Sequence, residues 1–248
     1  MRLLILSDIH GNKFGLEAVL EVGRKCAGVI CLGDIVGYGA HPNECCEMLR
    51  RVKARCLSGN HDAAALGKID TTWFNPIAKA AIDWTAEHLT PGNRTWLDSL
   101  PGEAIMASQH FQAVHASLRQ SWHEYIVDPS IALPTMDLMR QPVCFYGHTH
   151  EADVYCLPSG AAGEENLEHR YLPGGGRIQL QPNFKYLINP GSCGQPRDND
   201  PRAKCAIFDL EKRTVEILAI DYDYFGACAA ILDAGLPEVL GERLFVGK

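Results

Sequence analysis

Ala54-Arg55-Cys56-Leu57-Ser58-Gly59-Asn60-His61-Asp62 is a short apolar run that stops at a dense polar block. Ala54 to Leu57 reads as a strand, and Gly59 to Asp62 as the turn that ends it. The turn holds a neutral oxygen ligand, an imidazole and a carboxylate in consecutive positions. Four other polar blocks also follow apolar runs: Asp8-Ile9-His10, Gly33-Asp34, Val114-His115 and Gly147-His148-Thr149-His150. In open α/β sheets the loops at the carboxyl ends of the strands converge on one edge, so blocks remote in sequence can meet there.

The elements around these blocks support such a sheet. Leu3 to Leu6 is a continuous apolar run suited to a strand buried on both faces. Residues 12 to 25 carry Leu16, Val19, Leu20 and Gly23 at helical spacing, and Gly28 to Leu32 reads as a second strand. Asn43 is expected to cap a helix with the stripe Cys45, Met48, Leu49 and Val52. This β-α-β-α-β opening favours a parallel sheet with right-handed crossovers. After Asp62 the strand rhythm breaks. Asn75-Pro76 and Thr90-Pro91 each read as a helix start, and residues 66–110 as a helical insertion or lobe. Strands resume at Phe111 to Val114 and Val143 to Tyr146. The Gly-, Glu- and Pro-rich stretch 157–184 reads as loops or an exposed hairpin. Cys205 to Leu210 and Thr214 to Ile220 form an expected hairpin. Residues 224–245 read as helical, interrupted at Gly235-Leu236-Pro237.

A chain of 248 residues with 46% hydrophobic side chains suits a single domain, 1–248, with a substantial core. Thirty acidic against 23 basic side chains, a formal charge of −7, argue against a polymeric nucleic acid as partner. A small phosphorylated substrate stays compatible, since bound divalent cations would supply local positive charge. The ten cysteines include no C-x-x-C, and Cys31, Cys56, Cys144 and Cys205 lie inside apolar runs, where they read as small buried hydrophobes. No run approaches the ~20 apolar residues of a membrane span. A reduced, cytoplasmic protein with no membrane association is expected.

Together the five blocks hold two Asp, one Asn and several His, without Cys. Nitrogen and hard oxygen donors suit Mn, Fe, Zn or Co better than a structural zinc site. Seven such ligands exceed the needs of one tetrahedral ion. Two ions ~3.5–4 Å apart sharing a carboxylate would use them all, clamp phosphoryl oxygens and lower the pKa of a bridging water. The implied reaction is in-line attack of hydroxide on phosphorus. Asp8 and Asp34 would repel at adjacent strand ends unless a cation lay between them. His115 is preferred to His110 because it ends its apolar run, whereas His110 precedes one. His41, His88, His123 and His169 read as ordinary histidines, and Trp73, Trp84 and Trp96 as packing residues of the insertion.

Asp8-x-His10, Gly33-Asp34, Gly59-Asn60-His61-Asp62, His115 and Gly147-His148-x-His150 resemble, in order and spacing, the signature of the calcineurin-like metallophosphoesterases. The resemblance implies a sandwich of two mixed β-sheets flanked by helices. It implies one metal held by Asp8, His10, Asp34 and His150, and a second by Asp34, Asn60, His115 and His148, with Asp34 bridging. His61 would contact the phosphate and act on the leaving oxygen, and Asp62 would orient that imidazole. Gly33-Asp34-Ile35-Val36-Gly37-Tyr38-Gly39 and Asn189 to Asp198 resemble the bacterial branch of small phosphodiesterases and diadenosine-tetraphosphatase-like proteins. In that branch Ser192 would lie near the metals and Arg197 would reach a phosphate, unless it pairs with Asp198 or Asp200. One departure is His115-Ala116-Ser117-Leu118, where the family has a Gly-Ser-Pro turn after the histidine. The expected activity is hydrolysis of a phosphodiester or nucleotide phosphoanhydride, a dinucleoside polyphosphate included. A phosphomonoesterase, a protein phosphatase and a non-catalytic metal-binding scaffold are the alternatives.

Overall fold

The computed structural model describes residues 1–102, 106–120 and 122–248. Part of the 66–110 segment, residues 103–105, therefore lies outside the described residues. The elements run β1 (Arg2–Leu6), α1 (Lys13–Val22), β2 (Gly28–Cys31), α2 (Pro42–Arg51), β3 (Arg55–Cys56) and α3 (Asn60–Ala65). There follow α4 (Pro76–His88), α5 (Pro91–Asp98), β4 (Met106–Ala107), β5 (Gln112–Ala113), α6 (Pro129–Asp137), β6 (Val143–Phe145) and β7 (Ala152–Pro158). The chain continues with β8 (Glu168–Tyr171), β9 (Gly176–Gln179), β10 (Phe184–Pro190), β11 (Ala203–Asp209), β12 (Thr214–Ile220), α7 (Tyr224–Asp233) and α8 (Val239–Glu242).

Among the described residues the strands form two six-stranded sheets, ordered β3-β2-β1-β11-β12-β9 and β4-β5-β6-β10-β7-β8. Both are mixed: β1, β2 and β3 run parallel, as do β5, β6 and β10, while the remaining pairings are antiparallel. The two-residue period of β1 explains the layering. Leu3 and Ile5 join Phe145, Val154, Ile188 and Phe208 in the core between the sheets. Leu4 and Leu6 point the other way, onto Leu16, Val19, Cys45 and Leu49 of the covering helices. The second sheet covers its outer face with Ala132 and Met136 of α6, packed on Cys144, Tyr155 and Leu187.

Two expectations are corrected. Residues 157–184 are not a hairpin: β8 pairs with β7 in one sheet, and β9 pairs with β12 in the other. The segment is a crossover stitched to both sheets, with Ile178 and Leu180 buried between them. Asn43 does not cap α2, which starts at Pro42 after His41. Its amide instead donates to His88 O and accepts from Thr90 N, tying α2 to the α4–α5 corner. That corner is packed in as well: Leu97 of α5 joins the core cluster under α1 and α2, and Ala78 and Ala81 of α4 pack on Ile231 of α7, Leu240 of α8 and Leu236 between them.

Candidate metal centre

The ends of β1, β2 and β3 in one sheet and of β5 and β6 in the other meet at one edge. Backbone hydrogen bonds lock their loops together: Asp8 N to Gly33 O, His10 N to Asp34 O and Gly147 N to His115 O, at 2.7–3.1 Å. Gly59 is extended (φ −95°), so it is not there to turn the chain. A Cβ on it would lie 2.0 Å from Asp34 Oδ1, so glycine is required by close approach. A Cβ on Gly147 would likewise collide with Ser7 Oγ at 2.0 Å.

Asp8, His10, Asp34, Asn60, His61, His115, His148 and His150 all come together here, none more than 6% exposed. Five of them, Asp8, His10, Asp34, His148 and His150, have φ between 49° and 70°. That left-handed region costs a non-glycine residue about 1–3 kcal/mol and persists only where the surroundings enforce it. The fold holds these side chains in place against local backbone preference.

Asp8, His10, Asp34 and His150 form one group able to hold a cation, and Asp34, His115 and His148 a second, with ligand atoms of each group within 4.8 Å of one another. Asp34 belongs to both. Its Oδ1 accepts from His61 N at 2.8 Å, while its Oδ2 lies 3.5 Å from both His10 Nε2 and His115 Nε2. Among the described residues, Asp34 Oδ2 and His148 Nε2 are buried without a hydrogen-bond partner. Carbonyls face the other ring nitrogens: Val36 O lies 3.2 Å from His10 Nδ1, Gln195 O 2.6 Å from His150 Nδ1, and Leu32 O 3.1 Å from His115 Nδ1. Each carbonyl demands a proton on Nδ1 and so turns an Nε2 lone pair inward. His10 Nε2 and His150 Nε2 then face each other at 3.0 Å. Two lone pairs that close repel unless a cation or proton separates them. The donor set thus fits a metal cluster. Asn60 Oδ1 stands 3.1 Å from His115 Nε2, beside the second group.

The charges carry the same imprint. Burial, aided by the Asp34 charge and opposed by His115, pushes the Asp8 carboxyl up to about 7. Burial alone would raise Asp34 as well, but His115, His61 and His10 hold it well below the usual carboxylate range. Burial pulls His10, His148 and His150 well down, so they present neutral rings. His115 is the exception: Asp34 overrides burial and lifts it to about 9.

The remaining expected residues divide. Asp62 makes no hydrogen bond to the His61 imidazole, whose Nδ1 is without a hydrogen-bond partner among the described residues. Its Oδ1 accepts from Ile35 N and Val36 N, and its Oδ2 reaches back to accept from Gly59 N at the start of α3. It clamps the Asp34 loop to the helix that carries His61. Asp62→Ala would leave buried N–H groups unpaired and is expected to destabilise the metal-free protein by about 2–5 kcal/mol in urea unfolding, with Asp62→Asn costing clearly less. Ser192 is fully buried, donates to Asp8 O and accepts from Gln195 N. Its hydroxyl is spent beneath the Asp8 loop. Arg197 pairs with neither acid, since Asp198 is held by Lys204 and Asp200 by Arg202. It bonds Tyr38 Oη at 3.3 Å and Gln195 Oε1 at 3.1 Å, at the mouth of the site. Ser117, in the departing His115 loop, caps its own turn by accepting from Arg119 N and Gln120 N. His110 is exposed. Trp84 and Trp96 are half-buried, but Trp73 is 50% exposed, edge-on to Phe74 and His123 at the rim.

Two residues at the site went unremarked in the sequence. Tyr38, with φ 57°, lays its ring 4.7 Å from His10 and 4.5 Å from His61. Tyr125 lies 3.9 Å from His148. Only Tyr38 carried a signal, a bulky residue between Gly37 and Gly39 in the Asp34 block.

Residues 1–213 match the calcineurin-like phosphoesterase superfamily domain. The chain is 38% identical to an uncharacterized protein of Methanocaldococcus jannaschii, over 99% of this chain and 98% of that one. It is 37% identical to the crystal structure of a metallophosphoesterase from Sphaerobacter thermophilus, covering 100% and 99% of the two chains with a TM-score of 0.88. The crystal structure of a hypothetical protein from Pyrococcus horikoshii shares the fold at 20% identity, with a TM-score of 0.79 over 100% and 98%. No described helix is long and apolar enough to cross a membrane. The strand-end blocks, the cation-ready cluster and these matches converge: the chain belongs to the calcineurin-like phosphoesterase superfamily and is a hydrolase acting on phosphoester bonds.

Proposed function

We propose that this protein hydrolyses phosphodiesters or nucleotide phosphoanhydrides at a centre of two divalent ions. Asp8, His10, Asp34 and His150 would hold one, and Asp34, Asn60, His115 and His148 the other. The observation that carries this reading is Asp34 Oδ2, buried, without a hydrogen-bond partner among the described residues and equidistant from imidazoles of both groups. Mn, Fe, Zn or Co would serve, supplying Lewis-acid stabilisation of phosphoryl oxygens and an activated water. The chain's own residues do the rest. His61 belongs to neither group, and Asp62 and the Asp34 carboxylate fix the backbone from which it projects. Burial first, with Arg197 nearby, holds its pKa down to about 4, so the ring waits neutral. It takes up a proton as the arriving phosphate raises its proton affinity, and gives that proton to the leaving oxygen. Arg197, oriented by Tyr38 and Gln195, meets a phosphoryl oxygen at the mouth. The whole chain serves as one domain around this centre, in the reducing cytoplasm, on small nucleotide-like substrates.

A panel in Mn tests the reading: monoesters, diesters, nucleoside triphosphates and dinucleoside polyphosphates. Preference for the diesters or dinucleoside polyphosphates is expected. Hydrolysis of monoesters alone would replace the reading with a phosphomonoesterase. The charges add a pH prediction. Asp8, raised to about 7, and His115, raised to about 9, are protonated below those values in the metal-free protein. A cation must displace both protons, so affinity rises with pH. Calorimetric Mn titration is expected to show at least about a tenfold gain from pH 6 to pH 8.

A further inference from the structure

A cleft of about 540 Å³ lies beside the centre, lined by Tyr38, Pro76, Ile77, Val239 and Arg243 among others. None of these is a candidate ligand. Tyr38 is the shared wall: it lines the cleft, and its ring stands against His10 and His61. Its left-handed backbone is unusual for a bulky side chain and signals a residue held in place by its surroundings. His61 is the group assigned above to the leaving oxygen, so what leaves is released toward Tyr38 and the cleft behind it.

The chemistry of the walls is mixed. A phenol ring, a proline ring and two aliphatic side chains, Ile77 and Val239, supply flat and apolar surface. Ile77 and Val239 are 39% and 40% exposed, so both side chains are open to a ligand at the cleft. Arg243 adds a half-buried guanidinium, its Nε donating to Lys248 O. Sites for small organic ligands have this composition and run from ~300 to ~1,000 Å³. A nitrophenyl or methyl group would leave much of the space empty.

Resting on the hydrolase reading above, we propose that this cleft is the leaving-group subsite of the centre and takes a nucleoside monophosphate unit. The base lies on Pro76 between Ile77 and Val239, with the buried Tyr38 as its inner wall, and the unit's own phosphate reaches Arg243.

Ile77→Trp and Val239→Trp fill the cleft from opposite walls, and Arg243→Gln removes its cation. Two substrates are compared in Mn: a dinucleoside polyphosphate and bis(p-nitrophenyl) phosphate. Each tryptophan variant is expected to raise KM for the dinucleoside polyphosphate about tenfold or more, while kcat/KM for the nitrophenyl ester stays within about twofold. Arg243→Gln is expected to follow the same pattern. Equal loss on both substrates, or none on either, overturns the subsite. Binding of adenosine monophosphate to the metal-free protein, followed by calorimetry, is independent of turnover. Wild type is expected to bind and Val239→Trp to lose binding. No binding by wild type overturns the subsite even in an active enzyme. Binding with no hydrolysis of any ester keeps the subsite and rejects the hydrolytic reading. Unchanged circular dichroism and melting temperature show that the variants fold.

Discussion

Asp34→Asn is expected to lower kcat/KM by about 10³-fold or more, a loss near 4 kcal/mol of transition-state stabilisation. It is expected to strip most of the metal, measured by elemental analysis of the purified protein. An asparagine keeps the Oδ1 acceptor for His61 N and so keeps the start of α3 in place. What it removes is the charged Oδ2 that stands 3.5 Å from an imidazole of each group. The metal-free variant should nevertheless melt below metal-free wild type at neutral pH, since the charge that His115, His61 and His10 stabilise in the folded state is gone. An active, metal-replete Asp34→Asn protein would overturn the shared-carboxylate assignment.

His61→Ala is expected to behave differently: metals retained, kcat reduced about 10²–10⁴-fold, the usual worth of a positioned proton donor. His61 is only an aromatic neighbour of the candidate ligands, 4.7 Å from His10 between ring centres. Its own ring packs on Tyr38 and Phe74. The loss should be smaller for esters whose leaving group departs readily as an anion, because these need less protonation. If metal content fell as well, His61 would belong to the ligand set and its role at the leaving oxygen would be wrong.

The strand-end blocks were readable because each ends an apolar run with a residue type that a core rejects. Parallel strands then bring those ends to one edge, and His115 could be separated from His110 on that basis alone. The role of Asp62 could not be read this way, because its partners are the backbone N–H groups of Ile35, Val36 and Gly59, which no motif displays. The helix beginning at Asn60 was hidden for the same reason: its first turn is capped from within a block that reads as a turn. Residues 157–184 misled because four-residue strands around glycines look alike whether they pair with each other or with different sheets. Partner choice is a tertiary fact, settled by burial of Ile178 and Leu180. Tyr38 stayed unremarked because its importance lies in a backbone angle and a shared wall.

The place of β1 between β2 and β11 has a consequence for biosynthesis. β1 takes its second neighbour from Ala203–Asp209, made much later, and the carbonyls of Ser7 and Asp8 are met by the N–H groups of Cys193 and Gly194. Every candidate ligand has been translated by His150, yet the Asp8 loop lacks its mould until some fifty further residues have left the ribosome. Until then the nascent chain carries an apolar N-terminal strand with one side open, the state most exposed to mispairing and chaperone capture. Metal loading is thus expected to follow assembly of the sheet, and a chain terminated before β11 is expected to have every candidate ligand and no assembled centre.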